Sequence, residues 1–208
     1  MPKSTFFHLQ DEKQERIIQG AMGAFSEKTY RKVTIDRIVE LANIPKGSFY
    51  QYFENKDDLF MYIFSELGDE KKEAFEAVFD QMETVSFQDF IGILLQEANQ
   101  FENRDSVMIG LKNRFLKECP QKVKNDIMKS VIPKSYQLFG DIIETYKARG
   151  ELNKDLPVKE TAYILTSVIT QLEFYDFEEN EDYMETVQRI IQVIHHGLGK
   201  EKMYDTNS

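Results

Sequence analysis

The chain has 208 residues, of which 41% are hydrophobic and 30% charged, with a formal net charge of -10. That length and apolar content allow a sizeable buried core and exclude a disordered chain. No apolar run approaches the roughly 20 residues of a membrane-spanning helix, and residues 1–10 lack the layout of a signal peptide. The single Cys119 excludes an internal disulfide framework, so the sequence predicts a cytoplasmic protein with no membrane partner.

The charge is uneven. Residues 1–56 hold nine Lys/Arg against seven Asp/Glu, and residues 57–208 hold 17 against 29. Charges are screened over about 8 Å at physiological salt, so a partner of the mildly basic segment feels its local lysines more than the acidic remainder. The net charge still excludes a role in coating or packaging nucleic acid.

Apolar residues recur at three and four almost throughout, which predicts an all-α protein. Residues 1–10 are expected to be disordered or to pack Phe6 and Phe7 on the following helices. A first helix over 11–28 buries Ile17, Ile18, Ala21, Ala24 and Phe25. Thr34 has the chemistry of an N-cap for a helix over 35–42 that buries Ile35, Ile38, Val39 and Ala42. Residues 43–45 make a turn, and 46–53 a short third helix. A long helix over 56–82 follows, then helices over 86–103, 105–118, and 121–149, the last expected to bend at Pro133 and to stop at Gly150. Pro157 opens an apolar helix reaching residue 175, and 181–198 forms the last.

Two short helices joined by a tight turn suit a helix-turn-helix. In the second, Phe49 and Phe53 are four residues apart and anchor one face, leaving Lys46, Ser48, Tyr50, Gln51 and Tyr52 for a partner. Gly47 removes a side chain where the backbone can approach phosphate.

The stretch Thr34-Ile35-Asp36-Arg37-Ile38-Val39, with Lys46-Gly47-Ser48-Phe49-Tyr50-Gln51-Tyr52-Phe53-Glu54-Asn55-Lys56-Asp57-Asp58-Leu59, resembles the signature of the TetR family of transcriptional regulators. The resemblance covers about residues 11–60; beyond it only size, helicity and helix order are similar. One departure is Pro45, where the family often has serine. The resemblance implies a helix-turn-helix DNA-binding head over 1–56, joined to a larger helical effector-binding and dimerisation body over 57–208. It implies that Thr34 and Tyr52 hydrogen-bond phosphates and that Lys46 and Lys56 add charge there. Ser48, Tyr50 and Gln51 would read bases, Gln51 having the geometry to pair with adenine.

No enzyme site emerges. His195 and His196 are adjacent and point about 100° apart on a helix, so they do not chelate together; neither a metal nor a cofactor is expected. The body is rich in aromatic and methionine side chains. The resemblance implies an effector cavity among its middle helices, for which Phe101, Met108, Phe115 and Phe139 are candidate apolar walls and Tyr136, Tyr163, Thr166 and Glu173 candidate polar contacts. Helices over 158–175 and 183–198 carry more apolar residues than one face requires and are expected to pair across a two-fold axis. The resulting expectation is a homodimeric repressor released from palindromic double-stranded operator DNA by a small apolar or aromatic effector. An activator, a protein-responsive regulator, and a helical ligand-binding protein without DNA binding are the alternatives.

Overall fold

The computed structural model describes residues 1–172, 175, 176, 178 and 181–198. Among them there is no strand. The helices are α1 (Ser4–Phe7), α2 (Asp11–Glu27), α3 (Ile35–Leu41), α4 (Lys46–Tyr52), α5 (Lys56–Glu76), α6 (Phe87–Glu102), α7 (Ser106–Glu118), α8 (Gln121–Ala148), α9 (Val158–Gln171) and α10 (Tyr183–Leu198), with 3-10 turns at Tyr30–Lys32 and Phe79–Glu83. The all-α expectation holds, and most helices begin and end within a residue or two of the expected positions.

The chain packs as two compact units, residues 1–74 with 98–131, and residues 75–97 with 132–208. This packing division differs from the functional division at residue 56 expected from the sequence. The reason lies in the first unit's core. Phe25, Phe49 and Phe53 share it with Phe60 and Ile63 of α5, Met108 and Leu111 of α7, and Val123 and Ile127 of α8. A segment of some 50 residues has a marginal core by itself, and here its apolar faces are completed by later helices.

Two glycines let helices in this unit approach closely. A Cβ at Gly20 of α2 would lie 2.6 Å from the Ala42 nitrogen, just past α3, and one at Gly110 of α7 would lie 2.7 Å from Cβ of Ser26 on α2. Backbone meets backbone at the first contact, so it is the less forgiving.

The second unit is built on Phe87, Phe90, Ile91 and Leu94 of α6, Phe139, Ile142, Ile143 and Tyr146 of α8, Leu165 of α9, and Val187 and Ile191 of α10. Arg149 and Glu151 lock its corner. The Arg149 guanidinium donates to the Val85 carbonyl at 2.9 Å and pairs with Glu151 at 2.6 Å, and Glu151 accepts from the Phe87 N–H at 2.9 Å. This stops the orphan donor at the start of α6 from being left bare.

Gly150 ends α8 with φ 76°. The Gly150 N–H reaches back to the Lys147 carbonyl and the Glu151 N–H to the Tyr146 carbonyl, the paired bonds of a Schellman stop. α8 runs through Pro133 without ending. The expected single helix over 56–82 does not form: α5 ends at Glu76 and the 3-10 turn at Phe79–Glu83 takes over. Phe75, Val78, Phe79 and Met82 turn into the second unit's core there, and that burial overrides helical propensity.

Candidate nucleic-acid interface and effector region

The helix-turn-helix is α3, its turn and α4. Thr34 caps α3 as its chemistry predicts, its hydroxyl accepting from the Arg37 N–H at 3.2 Å. The turn is set by Asn43, which has φ 51°, a conformation asparagine tolerates better than most residues. The Asn43 N–H donates to the Glu40 carbonyl and the Ile44 N–H to the Val39 carbonyl, a second Schellman stop. Pro45 then precedes α4 at φ -62° without a side-chain cap, and the buried Ile44 closes the turn against the core.

Phe49 and Phe53 are fully buried, as their spacing predicts. Their burial leaves Lys46, Gly47, Tyr50 and Gln51 exposed and Ser48 half-buried. Nothing lies within 4 Å of where a Gly47 Cβ would stand, so this face is open at the backbone itself. The Tyr50 ring stands edge-on to Phe49 with centroids 5.4 Å apart and is 46% exposed. Lys46 pairs with Asp36 of α3 at 2.7 Å on the surface. That carboxylate hydrogen bond raises the lysine's pKa.

Two expectations need correction. Tyr52 was expected on the open face, but it is only 5% exposed; its ring packs edge-on to Phe6 at 6.2 Å. Of the two expectations for residues 1–10, disorder or packing of Phe6 and Phe7, the packing of Phe6 holds, and it is what covers Tyr52. Lys56 was expected to add charge at the DNA backbone, but its ammonium donates inward to the carbonyls of Tyr30 at 2.7 Å and Val33 at 2.9 Å. It also sits 4.9 Å from the centre of the Tyr30 ring. Burial lowers its pKa, and its task is to hold the loop that carries Thr34 against the start of α5. The Tyr30 hydroxyl reinforces this by donating to Asp57 at 2.6 Å; burial, then that bond, pushes the phenol's pKa far up.

The sequence reading also passed over Lys28, Arg31 and Lys32, all exposed around the 3-10 turn that leads to Thr34. Three basic residues within five positions were the available signal.

The effector candidates divide between the units. Phe101, Met108 and Phe115 belong to the first unit's core. Phe115 stacks at a tilt on Phe64, centroids 4.7 Å apart. Phe139 belongs to the core of the second unit; outside that core the Tyr136 and Tyr163 rings lie 6.0 Å apart, Tyr163 being 58% exposed. Thr166 is buried, and its hydroxyl has no hydrogen-bond partner among the described residues. Glu173 lies outside the described residues.

Arg114 and Glu118, an ion pair one turn apart on α7, were missed because that spacing usually marks a solvated pair. Here the Arg114 Nε and one Glu118 oxygen are buried without partners among the described residues. Cys119 is an inert neighbour, its thiol pushed up to about 11 by burial. Among the described residues no group of His, Cys, Asp and Glu is arranged to hold a metal ion, and no helix is long and apolar enough to cross a membrane.

The turn geometry and the polar face of α4 are those of a helix-turn-helix. Residues 17–63 match the family described as bacterial regulatory proteins, tetR family. A helix-turn-helix transcriptional regulator of Bacillus subtilis, YhgD, itself uncharacterised, is 36% identical over 62 residues, which cover 30% of this chain and 32% of that relative. The chain therefore aligns with only about a third of that relative's length. A TetR family transcriptional regulator from Chloroflexus aurantiacus has 27% identity and a TM-score of 0.58, with 97% of this chain and 100% of that one covered. The regulator FadR from Bacillus subtilis, solved in complex with stearoyl-CoA, shares the fold at 15% identity and a TM-score of 0.65, covering 88% of this chain and 98% of that one. Residues 17–63 thus match the TetR family of transcriptional regulators, and the chain as a whole shares the fold of a solved protein of that family.

Proposed function

We propose that this protein is a homodimeric repressor that binds palindromic operator DNA through α4 and is released by a small apolar or aromatic effector. The observation that carries the reading is the open face of α4, where Lys46, Gly47, Tyr50 and Gln51 stand exposed on a helix anchored by buried Phe49 and Phe53. A polar-aromatic face with a bare backbone at its start suits the major groove. Gln51 and Tyr50 would read base edges, with Ser48 at the margin. Thr34, Lys46, Lys28, Arg31 and Lys32 would meet phosphates; Lys46 exchanges its exposed partner Asp36 for phosphate at little cost, because surface pairs are weak. Gel shift with the DNA flanking the protein's own gene tests this reading. Binding weakened by salt is expected, with Gln51→Ala relaxing base preference; no binding at any salt concentration favours a ligand-binding protein without DNA binding.

The effector reading rests on the first unit's aromatic and methionine-rich walls, Phe101, Met108 and Phe115, with the unpartnered polar atoms of Arg114 and Glu118 in the same unit as candidate contacts for a ligand's polar group. Buried polar groups cost free energy unless paired, so a ligand supplying partners gains more than apolar contact alone. Of the stearoyl-CoA bound by FadR from Bacillus subtilis, the acyl chain is apolar like the proposed effector and the charged CoA part is not. The dimer reading rests on α9 and α10, where Ile164 and Val193 are exposed and Val168, Ile169, Ile190 and Ile194 half-buried. Leu165, Leu172, Val187 and Ile191 of the same helices lie in the unit's own core.

A further inference from the structure

We propose that the N-terminal arm, residues 3–6, is a positioning clamp that holds the last turn of α4 in shape for DNA reading. The inference rests on the role proposed for α4 above. Every helix leaves its final four carbonyls without an intrahelical donor, and in a seven-residue helix those four are more than half the element. In α4 all four are accounted for. The Phe49 carbonyl accepts from the Phe53 N–H at 2.9 Å. The other three accept from the arm: Tyr50 from the Lys3 ammonium at 2.8 Å, Gln51 from the Thr5 hydroxyl, and Tyr52 from the Lys3 N–H at 2.8 Å.

The arm is itself anchored. Phe6 is fully buried, its ring 5.0 Å from Phe53 and 5.4 Å from Tyr62 of α5. The Lys3 charge also lies at the negative end of the helix, where a cation is favourable. A helix this short has little stability of its own, and its last turn carries Tyr50 and Gln51. The clamp therefore keeps the reading side chains on an ordered backbone, so that the ordering entropy need not be supplied on binding. Lys3 acts on the helix, and its ammonium is directed at a carbonyl.

The test uses the full chain and two substitutions that spare Phe6. Lys3→Pro removes both Lys3 donors at a residue whose φ of -73° proline accepts, and Thr5→Val removes the hydroxyl. Amide exchange at residues 50–53 of the double variant should quicken by at least about tenfold, since three hydrogen bonds are lost, with α2 unchanged. Affinity for the protein's upstream DNA should fall by a similar factor at an unchanged salt slope. Unchanged exchange would overturn the clamp. Faster exchange with unchanged affinity would overturn its part in DNA reading, and a salt slope shallower by about one would assign Lys3 to a phosphate instead. If the parent protein binds no DNA, the proposed function fails, and the exchange rates still decide the clamp. Should Lys3→Pro not fold, Lys3→Ala with Thr5→Val carries the same measurements.

Discussion

The open face of α4 and the outer faces of α9 and α10 expose opposite chemistry, and each is built differently behind its surface. Behind α4, side chains that look like surface charges are spent on backbone carbonyls: Lys56 on Tyr30 and Val33, Lys3 on Tyr50, and Arg16 on Ala42 at 3.1 Å. On α9 and α10 apolar side chains are left outside, Val193 at 73% exposure. The contrast teaches that a polar face must be held in place, because a hydrogen bond demands geometry. An apolar face meets its partner through area, which is non-directional.

The contrast is broken most severely by Phe53→Ala. Phe53 lies between Phe6 at 5.0 Å and Phe49 at 5.7 Å, and its loss should cost about 3–5 kcal/mol, read by denaturant unfolding. DNA binding should disappear with it.

Lys56→Met should cost about 1–3 kcal/mol, because two carbonyls lose a charged donor. Salt titration of DNA binding sharpens the point: an inward-facing lysine leaves the slope unchanged, whereas a phosphate contact would make it shallower by about 0.9.

Gly110→Ala forces α7 away from Ser26 of α2 and should cost about 1–3 kcal/mol by overpacking. Thermal unfolding of the variant is the measurement, and an unchanged midpoint would show that α2 and α7 yield freely.

Glu102→Gln should have a pH-dependent cost of about 1 kcal/mol. Burial disfavours the Glu102 carboxylate, but Lys71, at 2.5 Å, and Lys112, at 2.9 Å, outweigh it and lower the pKa below the ordinary 4.5. A depressed carboxylate contributes stability that is complete above its unfolded value and is lost as pH falls through the folded one. Parent and variant should therefore differ at pH 7 and converge in acid, which urea unfolding at several pH values would check.

Val193→Asp should change subunit stability least, by under about 0.5 kcal/mol, since it is a surface substitution. Sedimentation at micromolar concentration should nevertheless give monomers if α10 is the dimer face. A variant that stays dimeric would move the interface elsewhere.

Much of this was legible before any coordinates. The spacing of Phe49 and Phe53 determined which side of α4 is buried, because helical periodicity maps sequence onto faces. Thr34 and Gly150 marked a helix start and a helix stop because capping depends on chemistry local to a few residues. The run from Lys46 to Lys56 carried the family resemblance for the same reason.

Only the tertiary structure decided what depends on partners far along the chain. Tyr52 is buried because Phe6, 46 positions earlier, returns to cover it, and Lys56 turns inward because the Tyr30 and Val33 carbonyls lie beside it. Arg114 and Glu118 have the one-turn spacing of an ordinary surface pair, and only burial in the tertiary structure leaves two of their atoms unpartnered among the described residues. Local rules determine which residues share a helix face. Which of those faces meet water, and which charged groups find a carbonyl in place of a ligand, is settled by contacts between segments that no sequence spacing encodes.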